Sequence, residues 1–129
     1  MTSFAFGKNR RLLNSSDFTA VFNDAPFRAS HPNFLILARP SATGEPRLGL
    51  IVAKKHVRHA VGRNQIKRIS RESFRLQQHK LAAIDAIVLA RRGADTLSRS
   101  ELRQILDGLW KRVAKKAIKA NPAQSIPGS

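Results

Sequence analysis

Eight carboxylates and four histidines are the side chains from which this chain could build a hydrolytic centre. A hydrolase that works through two metal ions needs carboxylates converging on the metals. Asp17, Asp24, Glu45, Glu72, Asp85, Asp95, Glu101 and Asp107 stand singly, with no Asp-x-Asp or other close pairing. His31, His56, His59 and His79 could serve metal-free general acid–base cleavage. His56 and His59, three apart, could also bind a metal, but the plainer reading is surface histidines in a basic segment. There is no cysteine, which removes thiolate zinc sites, disulfides and thiol nucleophiles. No Gly-rich phosphate loop of the nucleotide-binding type is present. The chain reads as a binder and not as a catalyst.

What it would bind is written in its cations. Lys and Arg total 24 against 8 Asp and Glu, a formal net charge of +16. Between Lys54 and Arg75 stand Lys54, Lys55, Arg58, Arg63, Lys67, Arg68, Arg71 and Arg75, with Glu72 the lone acid. At about 100° per residue, Asn64, Lys67, Arg68, Arg71 and Arg75 share one helical sector of about 100°. Gly62, Ile66, Ile69, Ser73 and Leu76 fall opposite and would seat the helix. A face kept only for solubility interleaves Glu with Lys and gains i, i+4 pairs. Here arginine dominates, and its planar fork suits phosphate. A polyanion is the expected partner, with nucleic acid ahead of a membrane surface or an acidic protein.

The elements that must position this helix follow from periodicity. Hydrophobic residues make up 42% of the 129-residue chain, enough for one domain with its own core. Asn14, Ser15 and Ser16 offer caps to a first helix carrying Phe18, Val21 and Phe22. Residues 25–33, with Pro26 and Pro32, read as an irregular or edge strand. Phe34–Arg39 and Arg47–Lys54 are expected strands, joined as a hairpin across the turn residues 41–46. A helix from Val57 to about Gln78 follows, then a buried strand, Ile84–Arg91. Leu102, Ile105, Leu106, Leu109, Val113 and Ala117 mark one face of a last helix, with Trp110 expected in the core. The expectation is an α+β domain over residues 1–120 with one four-stranded sheet, order αβββαβα, and a loose tail at 121–129. No secretory signal or membrane span is visible, so a cytoplasmic protein is expected.

Three segments together resemble a known family. Arg-Leu-Gly-Leu-Ile-Val-Ala-Lys-Lys (47–55), Ala-Val-Gly-Arg-Asn-Gln-Ile-Lys-Arg (60–68) and Arg-Glu-Ser-Phe-Arg (71–75) are similar to the bacterial ribonuclease P protein subunit. In that family a strand ending in Lys-Lys leads into a helix with an Arg-Asn-Arg signature. Arg11-Leu-Leu leading to Phe18 and Phe22 resembles the family's first helix, Ile84–Arg91 its last strand, and Leu109-Trp110 lies in its C-terminal helix.

The resemblance implies the protein partner of a catalytic RNA, in an endonuclease that removes the 5′ leader from precursor tRNA. Catalysis and its Mg2+ ions would belong to the RNA subunit, and this chain would hold no catalytic residue, metal or cofactor of its own. RNA-subunit contacts are implied for Arg58, Arg63, Asn64, Lys67, Arg68, Arg71 and Arg75. The leader would lie in a cleft between sheet and first helix, near Phe18, Phe22, Lys54, Arg91 and Arg11. The family also implies a left-handed βαβ crossover, against the right-handed default.

Phe18 and Phe22 have a second reading as core residues, and Lys54 and Arg91 as solvated strand-end charges. The third signature position is Gln65 and not Arg, so a phosphate contact there would be weaker, because charged hydrogen bonds are the stronger ones. Three rivals stay open: a general or ribosomal-type RNA-binding protein, a DNA-binding regulator, and a protein-only metal nuclease. The DNA reading is the weakest, because a strand and not a helix-turn-helix partner precedes the basic helix.

Overall fold

Apolar runs become interior strands where both faces can be covered, and that principle sets the sheet. The computed structural model describes residues 15–41, 44–77, 81 and 83–120. The elements are α1 (Ser15–Asn23), β1 (Phe27–His31), β2 (Phe34–Pro40), β3 (Arg47–Ile51), α2 (Ala60–Gln77), β4 (Ile84–Ala90), a 3-10 turn (Ala94–Thr96) and α3 (Arg99–Ala120). This is the expected α+β order, with three helices and a four-stranded mixed sheet among the described residues. Arg11 and the expected tail, 121–129, lie outside the described residues.

One expected pairing is corrected. The strands at 34–40 and 47–51 do not form a hairpin; the sheet order is β1-β2-β4-β3. β4 stands between them, antiparallel to β2 and parallel to β3. The reason is burial: every β4 residue except Leu89 is buried, so this strand needs a neighbour on both sides and cover on both faces. The eighteen-residue α2 supplies the crossover that a parallel pair requires. Residues 41–46 need only bridge two interstrand spacings, about 10 Å. The hairpin that does form joins β1 to β2 through Pro32-Asn33, with His31 opposite Phe34. β1 alternates buried and exposed residues over its first four positions, as a strand at the sheet's edge does.

The sheet's two faces are covered unequally. On one, Ile36, Ala38, Ala86 and Val88 meet α2 and α3 in a large core. Trp110 of α3 is fully buried, as expected, with its ring centroid 5.2 Å from that of Phe74 on α2. Ser73 donates a 2.5 Å hydrogen bond to Asp107 and ties the two helices together. α3 begins with a capping box: Glu101 N–H donates to Ser98 Oγ (3.1 Å) and Ser98 N–H to Glu101 Oε1 (2.9 Å). Gly62 lets α2 approach its surroundings, since a Cβ there would stand 3.2 Å from Val57 Cγ1.

The other face carries only the nine-residue α1. Val21 is buried against Leu37 and Ile87, and Phe18 packs beside them. Arg39 Nη1 donates to the Ala20 carbonyl at 3.1 Å and clips the helix to β2. Below it, Arg47 and Asp85 form a bidentate pair with both contacts at 2.8 Å. Their side chains are only 12% and 6% exposed.

Candidate nucleic-acid interface

α2 carries the basic sector, and its seat decides which way that sector looks. The buried residues are Ile66, Ile69, Ser70, Ser73 and Phe74. Leu76, expected among them, is 44% exposed. The buried stripe is therefore turned by about 50° toward Phe74, at 100° per residue. The cause is tertiary: α2 sits against both the sheet and α3, and Trp110 draws Phe74 inward. Asn64 and Arg68 remain exposed, while Lys67, Arg71 and Arg75 are half-buried. Gln65 is half-buried too, and lies off the basic sector in the groove between α2 and α3. That groove, about 590 Å³, is also lined by Arg68, Arg99, Arg103 and the lone Glu72.

Arg63 has a different occupation. Its Nη1 donates to the carbonyls of Val57 (3.1 Å) and Arg58 (2.8 Å), closing the loop that leads into α2. The first signature arginine thus shapes the backbone from which the exposed Arg58 projects. Lys54 also stands elsewhere than expected. β3 stops at Ile51, and Lys54 lies in a turn whose backbone closes when His56 and Val57 N–H donate to the Ala53 carbonyl (3.1 and 3.0 Å). The chain has to leave the sheet there to reach α2, so the lysine is exposed on a turn and not at a strand's end.

Strand register brings two of the leader candidates, Lys54 and Arg91, to one end of the sheet. Ile51 pairs with Leu89, which sets Lys54 and Arg91 just past the same ends of two parallel strands. Arg91 is half-buried and held by the β1–β2 hairpin. Its N–H donates to the Asn33 carbonyl (2.8 Å), and its Nη1 to the His31 carbonyl (3.1 Å) and Ser30 Oγ (3.2 Å). Asn33 Nδ2 donates in return to the Arg92 carbonyl at 3.0 Å, beside Gly93 with φ +91°. On the sheet face that carries α1, Leu35, Ile51 and Leu89 are half-buried. The two phenylalanines part company: Phe18 packs against the small core under α1, while Phe22 is 46% exposed.

Among the described residues no group of three or more His, Asp or Glu is placed to hold a metal ion. No helix there is long and apolar enough to cross a membrane. The sequence reading passed over the cations of α3. Arg99 and Arg103 line the groove with α2, and Arg112 and Lys116 reach β1. The signal was available: no acid follows Asp107.

Comparison with known proteins gives this geometry its relatives. The family model for ribonuclease P matches residues 6–114. The ribonuclease P protein component of Saccharophagus degradans is 69% identical over 121 residues, covering 94% of this chain and 90% of its own. That of Escherichia coli O157:H7 is 48% identical over 117 residues, covering 91% and 98%. Among solved structures, the Staphylococcus aureus RNase P protein superposes with a TM-score of 0.73 at 28% identity, covering 79% of this chain and 93% of its own. With strand order, signature helix and sequence in agreement, the chain belongs to the ribonuclease P protein family.

Proposed function

We propose that this chain is the RNA-binding protein of a ribonucleoprotein that removes 5′ leaders from precursor tRNA, and that it works by binding at two surfaces. The exposed sector of α2, with Asn64, Arg68 and the half-buried Lys67, Arg71 and Arg75, takes the phosphates of the catalytic RNA. Arg58 adds to it, and Arg63 contributes by holding the entry loop. The sheet face beside α1 takes the leader, with Lys54 and Arg91 on its backbone and Phe22 stacking on bases. Stacking tolerates any base, which suits leaders of varied sequence. Phe18 serves mainly by fixing α1. Cleavage and its Mg2+ ions belong to the RNA, and the protein lowers the magnesium needed by adding cationic contacts to leader and RNA.

The observation that carries this reading is the division of α2: its apolar stripe is consumed by the core while an arginine-rich sector, opposed by one acid, faces out. Each phosphate neutralised releases counterions, so binding should weaken steeply with salt. The test is cleavage of a 5′-labelled precursor tRNA at low magnesium by protein alone, by a bacterial ribonuclease P RNA alone, and by both. Leader release only with both, or far faster with both, is expected. Cleavage by the protein alone would overturn the reading. RNA binding without any effect on cleavage would leave a general RNA-binding protein.

A further inference from the structure

The chain's positive charge does not end with α2. Beyond Asp107, the last acid in the sequence, α3 carries Lys111, Arg112, Lys115, Lys116 and Lys119. All five are exposed. At 100° per residue they occupy a sector of about 140°, opposite the buried Leu109, Trp110, Val113 and Ala117. Cations four apart on a helix destabilise it slightly, so such a row works against the helix that bears it. The first half of α3 is built differently, with Arg103 paired to Asp107 at 3.5 Å. Among the described residues, no ion pair joins a carboxylate to any of the five.

Two of these cations reach the edge of the sheet. Arg112 Nη1 donates to the Ser30 carbonyl at 3.1 Å, and Lys116 Nζ donates to the Arg28 carbonyl. A carbonyl partner leaves the charge in place. The Ser30 hydroxyl meanwhile accepts from Arg91 at 3.2 Å. Ser30 therefore has a guanidinium on either side: Arg91 from β4's end and Arg112 from α3. Arg28, exposed on β1, pairs in register with Leu37 and so belongs to the face that carries α1. Cations thus stand on the half-open sheet face, at the β1 edge and along the C-terminal half of α3.

We infer that this row continues the leader track: a 5′ leader that has crossed the sheet face passes over β1 at Ser30 and runs along the C-terminal half of α3. The inference rests on the leader reading above and extends it to a segment of RNA farther from the cleavage site. A single strand fits better than a duplex. Between the charges, Arg112, Lys115, Lys116 and Lys119 frame a groove with Ile118 whose surface is mostly apolar. Unpaired bases and riboses can lie against such a surface, whereas a duplex offers it chiefly phosphate. Cations on flexible stems follow a backbone without reading its sequence.

The test uses the holoenzyme reconstituted with a bacterial ribonuclease P RNA. Its substrates are precursor tRNAs with leaders of about 5 and about 15 nucleotides, bracketing what single-strand grooves hold. The first variant is Lys115→Gln with Lys119→Gln, which leaves the contacts to β1 intact; the second is Arg112→Gln with Lys116→Gln. For the first, binding of the long-leader precursor should weaken about five- to tenfold, with a salt slope shallower by about 1.4. Short-leader binding and assembly with the RNA subunit should stay at wild-type values. Equal losses for both leaders, a loss of RNA-subunit assembly, or no change with the long leader would each overturn the inference. Wild-type protein that gains nothing from either leader over mature tRNA would overturn the leader reading itself, and the inference with it. A gain in binding of the long leader over the short one that survives in both variants would overturn the inference alone.

Discussion

The two faces of the sheet solve opposite problems. Under α2 and α3 the strands are sealed by a large apolar core, with Phe74, Trp110, Leu102 and Leu106 almost wholly removed from solvent. Under α1 the cover is a nine-residue helix over a three-residue core, supplemented by a buried ion pair and an arginine clip. The first face holds the fold through contacts that need no particular partner. The second leaves half-buried leucines, an exposed phenylalanine and anchored cations at its rim, and it is the surface proposed above to take the leader. A short helix can cover the centre of a sheet but not its breadth.

That contrast can be broken or sharpened by mutation. Trp110→Ala should cost about 3–5 kcal/mol, as truncation of a fully buried aromatic does, read as a fall in the urea midpoint. A loss below about 1 kcal/mol would mean that the helical face is not where stability resides. Asp85→Asn removes the carboxylate from a guanidinium that is only 12% exposed. It should destabilise by about 3 kcal/mol, and much less if the thin face has room for water to take over. Phe22→Ala should behave in the opposite sense. Its unfolding midpoint should hardly move, while precursor with a leader binds about 1–3 kcal/mol more weakly and mature tRNA binds as before. Equal losses for both RNAs would remove Phe22 from the leader surface. The smallest effect is expected from Arg68→Gln with Arg71→Gln, which should make the salt slope of RNA-subunit binding shallower by about 1.8. An unchanged slope would show that the α2 sector is not the phosphate contact.

The corrections are of two kinds. Leu76 was expected inside because helical spacing puts it beside Ile69 and Ser73, yet the corner formed by sheet and α3 takes Phe74 instead. β3 was expected beside β2 because the two are consecutive, yet the most apolar strand comes later in the chain and claims the interior position. Lys54 was placed at a strand's end that β3 does not reach. Leu76 and β3 keep their local pattern but meet a different neighbour, whereas the strand that starts at Arg47 simply ends three residues before Lys54. The α3 capping box and the acid-free stretch after Asp107 were legible in the residues themselves.

By itself the sequence determined the order and type of the elements, the burial of Trp110, the basic sector of α2 and the lack of any close pair of carboxylates. Those are properties of periodicity and charge, which act over a turn of helix or a few residues of strand. Only the tertiary structure decided that β4 parts β2 from β3, that Phe18 goes in while Phe22 stays out, and that Arg63 and Arg91 spend donors on carbonyls of the chain. It also decided that the cations of α3 meet those of the sheet at Ser30. β4's strand partners lie 38 to 56 positions away, and the acceptors that the Arg91 and Arg112 guanidinium groups find lie 60 to 82 positions away, brought close by the whole fold.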